Sequence, residues 1–331
     1  MLNGYPSSLR SAAYVFLCRL AQATDLPLQN SSMAVRGALV VDRNCCYLQY
    51  LKLEERCYLL KMKSEELNLE KYVKLVLEEE FHRDDTFLTE EELKTMLAEC
   101  SKDSRQRESI IGYPSYPLYR EVGNMLNLWL ENKHCPALDL PRFDLLDEKS
   151  HSEQREVTFS SIMPMLEGLQ TLHDLWTEEE IKYRVRQVLV LLGLRGILDL
   201  LGIRKTIGTK EMLPPSRTAL MASFCAKHNE KSELSVGARA LSKHFHRDQS
   251  SSWWGDCSGT DAVKNRHALE LCTKVLDNAV WINIHWLPHD VFIIEARQAQ
   301  GYGVRWSADA SMFRGFLEPQ MVDGHEVGWK H

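Results

Sequence analysis

The sequence lacks the short motifs that identify many enzyme classes. It contains no C-x-x-C pair, no H-E-x-x-H, no G-x-S-x-G, and neither the Walker pattern nor the G-x-G-x-x-G dinucleotide pattern. These absences argue against a zinc ribbon, a thioredoxin-like site, a zincin, an α/β-hydrolase and the common nucleotide-binding loops. No cofactor can therefore be assigned from the sequence, and it does not decide whether the protein is an enzyme.

Long apolar runs are also missing. The best candidate, Val188 to Ile203, is interrupted by Arg195 and Asp199, so it predicts a buried core helix and no membrane span. The formal net charge of −6 argues against a general nucleic-acid or anionic-membrane binder. The nine cysteines are odd in number and irregular in spacing, which predicts reduced thiols in an intracellular protein.

The first 32 residues differ in composition from the rest. They contain Arg10, Arg19, several serines and a single acidic residue, Asp25. We expect a flexible extension over residues 1–32 of a cytoplasmic protein. The alternative is that these residues form a mitochondrial targeting segment.

Apolar periodicity predicts helices over most of the chain before residue 213. Helical spacing runs through Cys46 to Phe81, and Thr89 and Thr177 each precede a glutamate by three residues, as in a capping box. The break at Leu213–Ser216 divides a predicted helical domain, 33–212, from a mixed domain, 213–331. Beyond Ala279 apolar residues alternate as in strands, so the expected class is α+β with a C-terminal antiparallel sheet.

The mixed domain is rich in tryptophan and histidine. Six of the eight tryptophans follow residue 250, and eight of the twelve histidines lie at or beyond His228. The loop around Trp253, Trp254 and Gly255 is a candidate ligand-binding loop, because aromatic rings can form platforms and glycine permits close approach. The alternative is that the tryptophans fill a core.

Alternation along the predicted strands gathers polar residues on one face. It predicts His285, His289 and Glu295 as proton-transfer residues, and Arg297 and Arg305 as ligands for an anionic group. The alternative is a half-solvated sheet whose outer face is polar for solubility.

Two histidines have a spacing that occurs in metal sites. They are His244 and His246, two residues apart, but the sequence identifies no third ligand for a catalytic zinc. Surface histidines or histidines with protein partners are therefore the preferred interpretation.

Three functions compete on these observations. The first is a C-terminal domain that binds or acts on an anionic or phosphorylated small ligand, and the second is an adaptor whose N-terminal helices bind a partner protein. The third, RNA binding through Trp and Arg, is weakened by equal charges from Arg217 onward, where 13 Lys and Arg face 13 Asp and Glu.

Overall fold

Strands begin only at residue 279, after all the described α-helices. The computed structural model describes residues 67–100, 107–141, 148–247, 252–287 and 291–319, all within one compact unit. The predicted extension 1–32 and most of the predicted helix Cys46–Phe81 lie outside these residues. The described helices and the C-terminal sheet confirm the predicted α+β class, while the domain boundary at 212/213 stays a prediction.

Polar side chains begin most of the described helices. Thr89 accepts from the backbone N–H of Glu92, whose carboxylate accepts in return, and Thr177 and Glu180 form the same predicted capping box. The helices are α1 (Leu69–Glu80), α2 (Glu90–Leu97), α3 (Leu118–Asn132), α4 (Glu148–Leu172), α5 (Glu178–Leu200), α6 (Arg217–Cys225), α7 (Val236–His244) and α8 (Asp261–Asp277). Within the described ranges, no helix is both long and apolar enough to cross a membrane.

The sheet is an antiparallel meander. Its strands are β1 (Ala279–Leu287), β2 (Val291–Gln298), β3 (Gly303–Ser307) and β4 (Phe313–Leu317), and they lie in this order across the sheet. Their apolar side chains join the core with α6, α7 and α8; Phe224 of α6, for example, lies 4.8 Å from the ring of Phe313. One face of the sheet is therefore closed by helices.

A segment after α5 covers the outer edge of β1. The backbone N–H of Arg204 donates to Ile282 (2.7 Å) and that of Lys210 donates to Ile284 (2.8 Å). Pairing of this kind satisfies an edge strand that would otherwise expose its backbone groups. The segment thereby connects the helical part of the chain to the strand that carries His285.

Candidate active site on the polar face of the sheet

The strand register aligns a row of polar residues across three strands. Asn283 of β1 lies opposite Glu295 of β2, which in turn lies opposite Arg305 of β3. The next row along β2 places Trp281, Arg297 and Gly303 opposite one another. Because side chains two residues apart share a face, these two rows form one surface.

Glu295 is the centre of this surface. Its side chain is only 2% exposed, and its Oε1 accepts from Nε of Arg297 at 2.5 Å. Its Oε2 accepts from Nε and Nη2 of Arg305 at 3.1 and 2.8 Å, and Nε2 of His285 lies 3.7 Å away. We call these four residues, His285, Glu295, Arg297 and Arg305, the Glu295 cluster.

The cluster keeps its carboxylate ionised. Burial alone would raise the pKa of Glu295, but His285 and the positive charges of Arg297 and Arg305 outweigh burial and hold that pKa well below its usual range. The buried negative charge is therefore matched by two guanidinium groups and faces a histidine. Such an arrangement fixes the orientation of all three partners.

Arg297 is held by three acceptors of the protein. Its Nη1 donates to the carbonyl oxygens of Gly301 (2.6 Å) and Glu318 (2.8 Å), in addition to the Nε contact with Glu295. A side chain at Gly303 would place Cβ 2.7 Å from Cγ of Arg297, so glycine leaves the space that this arginine needs. Arg297 therefore positions Glu295 and is largely withdrawn from solvent.

Arg305 and His285 are the members of the cluster nearest to solvent. The side chain of Arg305 is 24% exposed, against 10% for Arg297, and that of His285 is 12% exposed. The exposed Nδ1 of His285 lies 3.1 Å from the carbonyl oxygen of Trp286, while its Nε2 faces Glu295. Arg305 and His285 are therefore the members of the cluster that solvent reaches most.

Asn283 connects the cluster to the segment that follows α5. It is fully buried; its Nδ2 donates to Thr206 (2.8 Å) and its Oδ1 accepts from Thr209 (3.0 Å). These contacts span more than 70 residues of sequence, so neither threonine could be found from local pattern. They fix β1 at the position where its side chains meet Glu295.

The tryptophan loop adjoins the hairpin between β2 and β3. The ring of Trp253 stacks on Tyr302 with centroids 4.3 Å apart, and Trp254 is fully buried against His244 and Phe316. Burial leaves the ring of Trp254 no open face for a ligand, so its role here is in the core. Trp253 is only partly buried and remains the accessible ring of the loop.

Gly255 and the loop backbone are held by α8. Gly255 has φ of +67°, and a Cβ there would lie 3.0 Å from the ring of His267. Nε2 of His267 lies 2.7 Å from the carbonyl oxygen of Trp254, to which it donates. The small residue is thus needed both for its backbone angle and for the close approach of His267.

The two candidate metal ligands differ in burial. His244 is buried, with Nε2 2.7 Å from Oε1 of Glu318, whereas His246 is exposed on the turn after α7. Across the ranges that the structure describes, no group of three His, Cys, Asp or Glu side chains could hold a metal ion. The third predicted proton-transfer residue, His289, lies outside the described residues.

Glu318 contacts both His244 and Arg297, and the sequence pattern did not identify it as a candidate. Its carboxylate pairs with His244, and its carbonyl oxygen accepts from Arg297. His244 is thereby linked through Glu318 and Arg297 to Glu295. Only its position just beyond β4 could have drawn attention to it.

Comparison with known proteins bears directly on this surface. Residues 225–318 match the family model of the CdiA C-terminal tRNase toxin domain. The match covers less than a third of the chain, but it includes all four strands and therefore the whole Glu295 cluster. No curated protein and no solved structure matches the chain.

The tRNase match corrects the functions predicted from the sequence. The expected domain for an anionic or phosphorylated small ligand is wrong, and so is the alternative of a protein-binding adaptor, because the match indicates a nuclease toxin domain. The error has a physical origin. Arginine and histidine on a sheet face suit any phosphate group, and nothing in one sequence distinguishes a small phosphate ester from a polynucleotide.

Proposed function

We propose that the C-terminal part of this protein cleaves RNA, with tRNA as the substrate class, on the polar face of its sheet. The observation that carries the proposal is the match of residues 225–318 to a tRNase toxin domain. The Glu295 cluster supports it, because its exposed groups suit a phosphodiester. A net charge of −6 does not oppose the proposal, since the cations needed for one reacting phosphate are local.

Arg305 is the residue that would hold the reacting phosphate. A guanidinium group has five N–H donors, and Glu295 accepts from Nε and Nη2 of Arg305 only. The other donors belong to a side chain that is 24% exposed. Because Glu295 fixes the guanidinium plane beforehand, Arg305 can stabilise the negative charge that develops on phosphorus without reorganising.

His285 is the residue that would move the proton. Its ring lies between the carboxylate of Glu295, 3.7 Å from Nε2, and the carbonyl oxygen of Trp286, 3.1 Å from Nδ1, and these two groups set the orientation of the ring. With its proton on Nε2, which faces Glu295, the ring offers the lone pair of Nδ1 to a ribose 2′-hydroxyl and takes its proton as the 2′-oxygen bonds to the adjacent phosphorus. The bond from phosphorus to the 5′-oxygen breaks and that oxygen takes a proton from water, which leaves a 2′,3′-cyclic phosphate and a 5′-hydroxyl.

The test is cleavage of purified tRNA by the full-length chain. We expect Arg305→Gln to lower the single-turnover rate by about 10²–10³-fold, because it removes a preorganised donor to the transition state. We expect His285→Gln to lower the rate by about 10²–10⁴-fold. Products should carry a 2′,3′-cyclic phosphate, and a single 2′-deoxy substitution at the cut site should block cleavage.

Two exposed residues provide matched controls. Arg314→Gln changes an exposed arginine on β4, and His228→Gln changes an exposed histidine outside the sheet. Both should cleave at the wild-type rate. The proposal is overturned if the wild-type chain cleaves no tRNA, or if Arg305→Gln and His285→Gln cleave as fast as these controls.

A further inference from the structure

A second polar site lies in the helical part of the chain, outside the residues that match the toxin domain. It is a cavity of about 230 Å³ between α4, α5 and the segment that follows α5. Its charged lining consists of His151, Arg155, Arg195, Asp199, Lys205 and Glu211. This volume corresponds to roughly eight water molecules in the liquid, enough for a phosphate and a small attached group.

Arg155 is the unusual residue in this lining. It lies on α4 and is only 4% exposed, yet its buried Nε has no hydrogen-bond partner among the described residues. Arg195, on the opposite wall, also has Nε and Nη1 buried without a partner. Buried guanidinium groups are costly unless acceptors satisfy them, and native proteins leave few such groups unsatisfied.

The carboxylates nearby already have cationic or histidine partners. Oδ1 of Asp199 accepts hydrogen bonds from Nε2 of His151 at 3.1 Å and from Nη2 of Arg195 at 3.2 Å. Oε1 of Glu211 accepts a hydrogen bond from Nζ of Lys205 at 2.6 Å. The lining therefore has more cationic donors than its own carboxylates satisfy, in a chain whose net charge is −6.

We propose that this cavity binds a phosphate group, held by Arg155 with Arg195 and Lys205. A tetrahedral anion offers several oxygen acceptors to the planar donor edge of a guanidinium group, and it supplies the negative charge that the lining lacks. The proposal is independent of RNA cleavage, since no lining residue lies within 225–318. The phosphate belongs either to a small compound or to bound RNA.

Inorganic phosphate is the first probe. At tenfold excess over its dissociation constant, it should raise the Tm of the full chain by about 2 °C relative to chloride of equal ionic strength. Arg155→Gln should abolish this rise. Arg184→Gln, which changes an exposed arginine on α5, should leave the rise unchanged.

Two further measurements keep the result interpretable. Without phosphate, Arg155→Gln should melt at or above the wild-type Tm, because it removes a buried cation whose Nε has no partner. If that variant fails to fold, Lys205→Gln replaces it, since Lys205 is 42% exposed at its side chain and should only weaken phosphate binding. The proposal is overturned if phosphate does not raise the wild-type Tm. It is also overturned if phosphate raises the Tm of both cavity variants by as much as it raises that of the wild type.

An RNA made uncleavable by 2′-O-methylation distinguishes the two sources of phosphate. If RNA occupies the cavity, Arg155→Gln should weaken its binding at least tenfold and inorganic phosphate should compete with it. If a small compound occupies it, RNA binding should be unchanged in Arg155→Gln while the phosphate-dependent rise in Tm is still lost. Either result supports a phosphate site, whether or not the chain cleaves tRNA.

Discussion

Glu295 and Arg305 lie directly opposite each other on β2 and β3, and Nε and Nη2 of the arginine both donate to Oε2 of the glutamate, at 3.1 and 2.8 Å. The carboxylate is buried and the arginine is partly exposed. In this cross-strand pair, the buried carboxylate holds the partly exposed guanidinium group in place. Arg305 therefore has a fixed position before any ligand arrives, which is the property that phosphate stabilisation requires.

The first prediction concerns the stability that the cluster provides. Glu295→Gln should lower the free energy of unfolding by about 3–5 kcal/mol, because it leaves the guanidinium groups of Arg297 and Arg305 facing a neutral amide. Urea denaturation measures the change. Glu270→Gln, on the exposed face of α8, is the control and should change stability by less than about 0.5 kcal/mol.

A small effect of Glu295→Gln would contradict this account of the cluster. The free energy of unfolding would then equal that of Glu270→Gln within error. Such a result would mean that water already screens the two arginines, in conflict with the 2% exposure of the Glu295 side chain.

The second prediction concerns acid. The pKa of Glu295 is lower in the folded protein than in the unfolded chain, so the unfolded state takes up a proton first as the pH falls. The stabilisation from this group is present above about pH 4.3, the unfolded value, and is lost as the pH falls from there through the folded pKa. Urea midpoints between pH 7 and pH 3 should fall more steeply in wild type than in Glu295→Gln. Equal slopes would show that Glu295 does not contribute.

Strand alternation accounts for how much of the cluster could be predicted. Because strands have a period of two and short hairpins make antiparallel neighbours, the sequence predicts one shared face for His285, Glu295, Arg297 and Arg305. Local pattern could not supply the partners, since Glu318 meets His244 from more than 70 residues away. It also could not separate Trp253 from Trp254, adjacent residues of which only the second is fully buried.

In the helices too, features set by neighbouring residues could be predicted from the sequence, and features set by tertiary packing could not. The two capping boxes were readable from a threonine and a glutamate three residues apart. The kink in α5 at Gly193, with φ of +55°, was not foreseen, since a glycine within a helical pattern is compatible with a straight helix. The cavity beside that kink depends on tertiary packing, so its arginines drew no attention in the sequence.

The third prediction compares two glycines in helices. A methyl group at Gly237 of α7 would lie 2.2 Å from the ring of Phe224, whereas one at Gly168 of α4 would meet nothing within 4 Å. Gly237→Ala should therefore destabilise the protein by about 1–3 kcal/mol or more, through overpacking. Gly168→Ala should stabilise it by up to about 1 kcal/mol, through helix propensity. Thermal unfolding compares them, and a stabilising Gly237→Ala would refute the close packing of α6 on α7.

The fourth prediction concerns thiol reactivity. Burial raises the pKa of Cys135 to about 12 and also raises those of Cys272 and Cys225, but Cys225 is exposed while the other two are buried. At pH 8 only about one Cys135 thiol in ten thousand is a thiolate, and the thiolate is the reactive form. Iodoacetamide should therefore alkylate Cys225 before Cys135 and Cys272, as read from peptide masses, and these two should react only after urea is added. Early alkylation of Cys135 in the native protein would show that the packing of Pro136–Leu138 against α5 opens readily, and this would place mobility close to the phosphate cavity.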